Sequence, residues 1–268
     1  LAHIIDIDDP ADSRLDDFRD LNSVDRRPDL PEGKGLVIAE GVLVVQRMLR
    51  SRFTPFAFLG VDRRRAELDA DLGLSDAPFY RTSAEVMADV VGFHLNRGVL
   101  AAAYRPPSLD PVQVADEART IAVLEGVNDH ENIGSIFRNA AGLGADAILF
   151  GARCADPLYR RAVRVSMGHV LRVPFASLSA WPADLDLLRE IGFQIVALTP
   201  DPTAQPLASA MTGERVALLL GAEGPGLIEH TMRQADVRAR IPMAPGTDSL
   251  NVATAAAMAF YERVRMAG

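Results

Sequence analysis

Apolar positions recur along this chain in two alternating rhythms. Short apolar runs bounded by glycine, proline or charge predict strands over Gly35–Ala39, Phe56–Val61, Pro78–Arg81 and Gly98–Tyr104. A second group covers Thr120–Glu125, Ala147–Phe150, Gln194–Leu198, Val216–Leu220 and Val237–Ile241. Between them the period lengthens to that of helices. Gly41–Arg50 puts Val42, Val45 and Leu49 on one face, Asp62–Leu72 is heavily charged, and Ser83 caps Ser83–Val91. Further helices are predicted over Asn132–Leu143, which Gly144 terminates, and over Leu158–Val165, Pro182–Ile191, Leu227–Gln234 and the Ala-rich Leu250–Met266. A short early helix is predicted over Pro10–Leu21, with Asp9 as cap and Pro10 at the first helical position.

This alternation predicts an α/β protein. The run VALLL at Val216–Leu220 has the unbroken apolarity of a strand buried on both faces of a parallel sheet. Arg105–Pro111 holds three prolines in seven residues and reads as a linker. The expected organisation is an acidic segment over 1–32, a small α/β domain over 33–104, the linker over 105–111, and a larger α/β domain over 112–268.

Composition narrows the function classes. A chain of 268 residues with 49% apolar and 24% charged residues can bury a full core. No apolar run approaches the ~20 residues of a membrane span. The acidic N-terminus resembles neither a secretory nor a transit signal, so a cytoplasmic location is expected. Cys154 is the single cysteine, which excludes an intrachain disulfide and a thiolate zinc cluster and predicts a buried, inert thiol. The five histidines are scattered without metal-ligand spacing, so no metal is expected.

The net charge of −8 speaks against a nucleic-acid partner until its distribution is considered. Residues 1–32 carry ten acids and four arginines, a net −6 that leaves only −2 for the rest. Lys34 is the sole lysine. Arginine suits bidentate phosphate contacts, although a genomic preference for arginine produces the same composition. An acidic protein that holds RNA needs a local basic surface. The candidates are Arg63, Arg64 and Arg65 in the first domain and Arg160, Arg161 and Arg164 in the second.

Three constellations could carry chemistry. In NIGSIFRNA, Ile133, Ile136, Phe137 and Ala140 form an apolar helix stripe, which leaves Asn132, Ser135, Arg138 and Asn139 on the other side. LGAEGPG (Leu220–Gly226) places three glycines after a buried strand, where a ligand can approach the backbone. Its lone Glu223 suits a ligand with a positive centre, an amine or a hydroxyl. The loop comes too late in the chain for a dinucleotide fingerprint, and its spacing is G-x-x-G-x-G. The third stretch, IPMAPGTDSLNVATAAA (Ile241–Ala257), runs from strand through irregular loop to helix N-terminus. It exposes backbone N–H groups beside Ser249 and Asn251, with Asp248 or Ser249 as cap. No serine sits in a G-x-S-x-G elbow.

Together these stretches resemble the three motifs of the SpoU-type, TrmH-like RNA ribose methyltransferases of the SPOUT superfamily. NDHENIGSIFRNA resembles the first, LLLGAEGPGL the second, and IPMAPGTDSLNVATAAA the third, in the family's order. The resemblance covers residues 120–268 closely, including VRVSMGHVLRVPF at 163–175. More loosely, residues 33–104 resemble the substrate-binding module that precedes this domain in many members. His130 departs from a common proline, and the first 32 residues match nothing in the family.

The resemblance implies a C-terminal parallel sheet tied in a trefoil knot. It also implies S-adenosyl-L-methionine as methyl donor to a ribose 2′-hydroxyl of rRNA or tRNA. The attached first domain favours rRNA. Thr199, Leu220, Gly221, Glu223, Gly224, Ile241, Met243 and Leu250 would line the cofactor pocket. Asn132, Arg138, Glu223, Ser249 and Asn251 would form the reaction centre. The family acts as homodimers, with the arginine-bearing helix of one subunit near the cofactor of the other. A guanidinium stays protonated far above neutral pH, so Arg138 is expected to position and stabilise charge rather than act as the base. The rival expectation is a non-catalytic RNA-binding or ribosome-assembly protein that kept the fold.

Overall fold

The computed structural model describes residues 2–22 and 34–267. Residues 23–33, which hold most of the proline-containing end of the acidic segment, lie outside the described residues. The chain divides into two compact units: Leu1–Pro107 with Asp156–Arg172, and Ser108–Ala155 with Val173–Gly268.

The first unit begins with β1 (Ile4–Asp6) and a 3-10 helix over Ser13–Phe18. Then come β2 (Leu36–Glu40), α1 (Val42–Leu49), β3 (Pro55–Gly60), α2 (Asp62–Glu67), α3 (Asp69–Leu72), β4 (Phe79–Arg81), α4 (Ala84–Val91) and β5 (Val99–Tyr104). Its sheet has the order β1-β4-β3-β5-β2, parallel through β1, β4 and β3, and antiparallel where β5 meets β3 and β2. One face buries Ile38, Leu59 and Leu100 against Leu15 and Phe18 of the 3-10 helix and Met87, Val90 and Val91 of α4. Ser83 caps α4 by accepting from Val86 N (3.2 Å), as its sequence predicts.

Two expectations change here. The helix predicted over Pro10–Leu21 is a single 3-10 stretch over Ser13–Phe18, with Leu15, Phe18 and, beyond it, Leu21 buried in the core. The charged helix predicted over Asp62–Leu72 divides at Leu68, whose fully buried side chain turns the chain inward between α2 and α3.

The second unit opens with α5 (Pro111–Asp116), capped by Asp110, whose Oδ1 accepts from Val112 N and Gln113 N. β6 (Thr120–Glu125), α6 (His130–Leu143) and β7 (Ala147–Phe150) follow. The chain then enters the first unit for α7 (Arg160–Val165), a segment whose sequence places it in the second domain. It returns with β8 (Phe175–Ser177), α8 (Leu185–Glu190), β9 (Phe193–Leu198), β10 (Gln205–Pro206), α9 (Leu207–Ala210), β11 (Arg215–Gly221), α10 (Glu229–Gln234), β12 (Val237–Arg240) and α11 (Val252–Ala267).

These strands form one sheet in the order β10-β12-β9-β11-β6-β7-β8, with every pair parallel. The buried run of β11 lies between β9 and β6, which is why it carries no polar alternation. One sheet face packs Ile121, Val123, Leu149, Ile195 and Leu219 against Leu185 and Leu188 of α8. In a parallel sheet all carboxyl ends point the same way. The loops leaving β6, β9, β11 and β12 therefore gather along one edge, where open α/β sheets bind ligands.

Candidate active site

That edge holds a pocket of about 690 Å³, open to solvent. Leu198, Thr199 and Pro200 enter from the end of β9, and Leu220 to Gly224 with Gly226 from the end of β11. Ile241, Met243, Ser249 and Leu250 enter from the loop after β12, and Val252 and Ala255 from α11. All eight residues that the family resemblance implies for cofactor binding line this pocket. Its walls are largely aliphatic, and Glu223 is its one ionisable lining group.

The loop after β11 is a tight hairpin of backbone. Gly226 N donates to Ala222 O (2.9 Å), and Gly224 and Gly226 take φ of +81° and +69°, the left-handed region that glycine enters without strain. Gly221 faces the loop's own return: a Cβ there would lie 2.2 Å from Leu227 N. Its glycine is therefore required by the loop itself, whereas the sequence alone suggests room for a ligand.

Asn132, Glu223 and Asn251 come from three separate stretches and meet at this pocket. Asn251 Nδ2 donates to Glu223 Oε1 (2.7 Å) and to Asn132 Oδ1 (2.8 Å), and Asn132 Nδ2 donates to Glu223 Oε1 (3.1 Å). Asn251 Oδ1 in turn accepts from Ala253 N (2.9 Å) and Thr254 N (3.1 Å) and caps α11. Each amide thus points oxygen to donors and nitrogen to acceptors. The cap is Asn251, where the sequence offers Asp248 or Ser249, because only Asn251 sits one residue ahead of the first helical turn. Asp129 caps α6 by accepting from Glu131 N, and Asn139 Nδ2 donates to Ala253 O (3.0 Å), which holds α6 against α11.

Ser249 stands in the pocket wall. Arg138 does not join the polar triad: it is exposed on α6 and makes no hydrogen bond or ion pair among the described residues. The stripe Ile133, Ile136, Phe137 and Ala140 beneath it is fully buried, as its periodicity predicts.

The arginines proposed for RNA fare unequally. Arg63 and Arg64 pair with Glu67, and Arg65 with Asp62 and Asp69, so phosphate would compete with carboxylates already in place. Arg160 is committed to the first unit's interior, where it donates to Glu40 Oε2 (2.9 Å) and Asn22 Oδ1 (2.6 Å) and lies over the Phe93 ring. Arg161 is exposed and Arg164 half-buried. Cys154 is half-buried, its Sγ donating to Leu124 O (3.3 Å), and burial pushes its thiol pKa up. Among the described residues no group of side chains is arranged to hold a metal ion, and no helix is long and apolar enough to cross a membrane.

The sequence profile of the SpoU rRNA Methylase family matches residues 119–261, the span that builds the pocket and the triad. The chain belongs to the SpoU rRNA methylase family. It is thus an RNA methyltransferase. A Mycobacterium tuberculosis protein named as a tRNA/rRNA methyltransferase is 67% identical over 263 residues, covering 97% of this chain and 91% of that one. The 23S rRNA (guanosine-2′-O-)-methyltransferase RlmB of Acinetobacter baylyi is 31% identical over 223 residues, 79% of this chain and 88% of that one. Among solved structures, the AdoMet-bound rRNA methyltransferase of Sinorhizobium meliloti superposes with a TM-score of 0.81 at 23% identity, covering 98% of each chain. The SpoU methyltransferase AviRb of Streptomyces viridochromogenes, in complex with AdoMet, gives 0.80 at 20% identity over 96% of this chain and 99% of that one. Both structures share the α/β fold described above.

Proposed function

We propose that this SpoU protein methylates a ribose 2′-hydroxyl of ribosomal RNA, with S-adenosyl-L-methionine as donor. The observation that carries the reading is the Asn132–Glu223–Asn251 triad at the lip of a largely aliphatic pocket. The residues fit the cofactor: Leu198, Leu220, Ile241, Met243 and Leu250 offer apolar surface to a flat base, and Glu223 offers a carboxylate to a cationic centre. S-adenosylmethionine supplies an activated methyl group on a sulfonium. The chain's own residues do the rest. Asn132 and Asn251 hold Glu223 in one orientation, Ser249 presents a hydroxyl from the pocket wall, and Arg138 brings a guanidinium with unspent donors to the ribose.

The choice of rRNA rests on the RlmB relatives, whose names place their action on 23S rRNA. The first unit serves here as the RNA-binding module. The same reading includes a trefoil knot made by the loops after β11 and β12, a cytoplasmic location, and a homodimer in which Arg138 works at the partner's cofactor. The dimer is supported by α11, which leaves Met258, Tyr261 and Val264 exposed at three-residue spacing along one side. The test is to map 2′-O-methyl groups in rRNA and tRNA from cells lacking the protein. Loss of one rRNA site supports the reading. An intact methylation map, or a loss confined to tRNA, overturns it.

Asn251 separates fold from chemistry. Asn251→Ser keeps a capping oxygen but cannot bridge Glu223 and Asn132. Stability should stay within about 0.5 kcal/mol while methyl transfer falls at least tenfold. Asn251→Ala should lose activity and, in addition, about 1 kcal/mol of stability. Denaturant titrations beside radiolabelled methyl-transfer assays make the comparison. Full activity in Asn251→Ser would remove the triad from the mechanism.

A further inference from the structure

At the same sheet edge, outside the pocket, one buried acid has no role in the chemistry above. Glu125 ends β6 with a side chain 1% exposed, and neither carboxylate oxygen has a hydrogen-bond partner. Among the described residues its ion-pair partner is Arg153, whose Nη2 stands 3.5 Å from Oε1. The loop that carries Arg153 is stitched along the end of β6. Gly151 N donates to Leu124 O (2.8 Å), Gly126 N to Ala152 O (2.9 Å), and Ala155 N to Val127 O (2.9 Å). Arg153 itself sits at φ +60°, a left-handed conformation that a long side chain rarely adopts. Strain of this kind persists where the surroundings enforce it, and it concentrates at binding sites.

A pair that served stability alone would close into a hydrogen-bonded fork. Here the guanidinium is attracted by a buried charge yet left 64% exposed, with no hydrogen bond made by any of its donors among the described residues. The result is a cation drawn to the buried carboxylate with its planar fork unspent, on the edge from which α6 and Asn132 also start. A phosphodiester is the ligand that matches a free guanidinium fork. Arg153 lines no part of the cofactor pocket, which separates it from the cofactor's own carboxylate. We propose that Arg153 binds a backbone phosphate of the RNA substrate and that Glu125 is its positioning residue. This rests on the RNA methyltransferase reading and names a substrate contact within it.

The experiment uses full-length protein, S-adenosylmethionine and rRNA from cells lacking the protein. Arg153→Ala should raise KM for RNA about tenfold, leave kcat and cofactor affinity within twofold, and lower the slope of log K against log salt by about 0.7–0.9. Arg153→Lys should restore the salt slope but only part of KM, because the point charge lacks the fork. Glu125→Gln should raise KM in the wild-type background and do nothing further in Arg153→Ala. If Arg153→Ala leaves Glu125 unpaired and the protein does not fold, the Glu125→Gln/Arg153→Ala double variant removes both charges and gives the same readout. Unchanged KM and salt slope, in a protein whose wild type methylates RNA, overturn this inference alone. A loss confined to cofactor affinity reassigns Arg153 and also overturns it. A wild type that neither binds nor methylates RNA overturns the functional reading with it.

Discussion

Arg138→Ala should lower kcat by about 10²–10³-fold, the scale of removing one preorganised charge stabiliser from an active site. Cofactor affinity should stay within threefold, because Arg138 is exposed on α6 and lines no part of the pocket. The chemistry needs a hydroxyl aligned with the methyl group and a developing oxyanion held as its proton leaves. A guanidinium cannot supply a base near neutral pH, but its five donors can hold both the ribose and the charge. Arg138→Lys should therefore recover little, since the planar fork is lost. Single-turnover transfer and calorimetry with S-adenosylmethionine make the measurement. If Arg138 works in the partner's site, mixing Arg138→Ala subunits with subunits unable to bind cofactor gives heterodimers with one intact site. Statistical mixing then restores about a quarter of wild-type activity. Substantial kcat in Arg138→Ala would remove the assignment. No rescue after demonstrated subunit exchange would place both residues in one subunit's site.

The long, strongly patterned elements were legible from residues alone. Thr120–Glu125 and Ala147–Phe150 are strands over those same residues, and the burial of Ile133, Ile136, Phe137 and Ala140 follows from their helical spacing. β1, β8, β10, α5 and α9 have no predicted counterpart, because none holds the unbroken run of four apolar residues that marks β6 and β7, nor a full helical period. The family resemblance, rather than composition or spacing, named eight of the pocket's residues; they meet because a parallel sheet brings the carboxyl ends of β9, β11 and β12 together. The pairings within the site were not legible. Asn132 and Glu223 lie 91 residues apart, and nothing local to either says that Asn251 will bridge them. Arg160 reads as basic surface until its carboxylate, Glu40, arrives from 120 residues away. Arg63, Arg64 and Arg65 differ from it. Their partners Glu67 and Asp69 stand three or four residues on, and that helical spacing was available in DRRRAELD.

Gly221→Ala should weaken S-adenosylmethionine binding by about 100-fold, or about 2.7 kcal/mol. The cause is the loop rather than the ligand. The added methyl would lie 2.2 Å from Leu227 N and 2.3 Å from Gly226 C, both backbone atoms with no flexible end to swing aside. The hairpin must open at the Ala222–Gly226 bridge, and that opening carries Glu223 and Gly224 away from the pocket and from Asn251. Val216–Leu219 of β11 are paired on both sides by β6 and β9, so the sheet should hold and global unfolding should shift far less than binding. Gly224→Ala is the control. No heavy atom lies within 4 Å of its Cβ position, and the change costs only the left-handed backbone, about 1–2 kcal/mol. Leu250→Asp tests the opposite wall, where a carboxylate replaces apolar surface without touching the hairpin. Isothermal titration of the three variants should rank Gly221→Ala and Leu250→Asp well below Gly224→Ala. Wild-type affinity in both Gly221→Ala and Leu250→Asp would mean that the cofactor binds elsewhere, and the pocket would have to be assigned to another ligand.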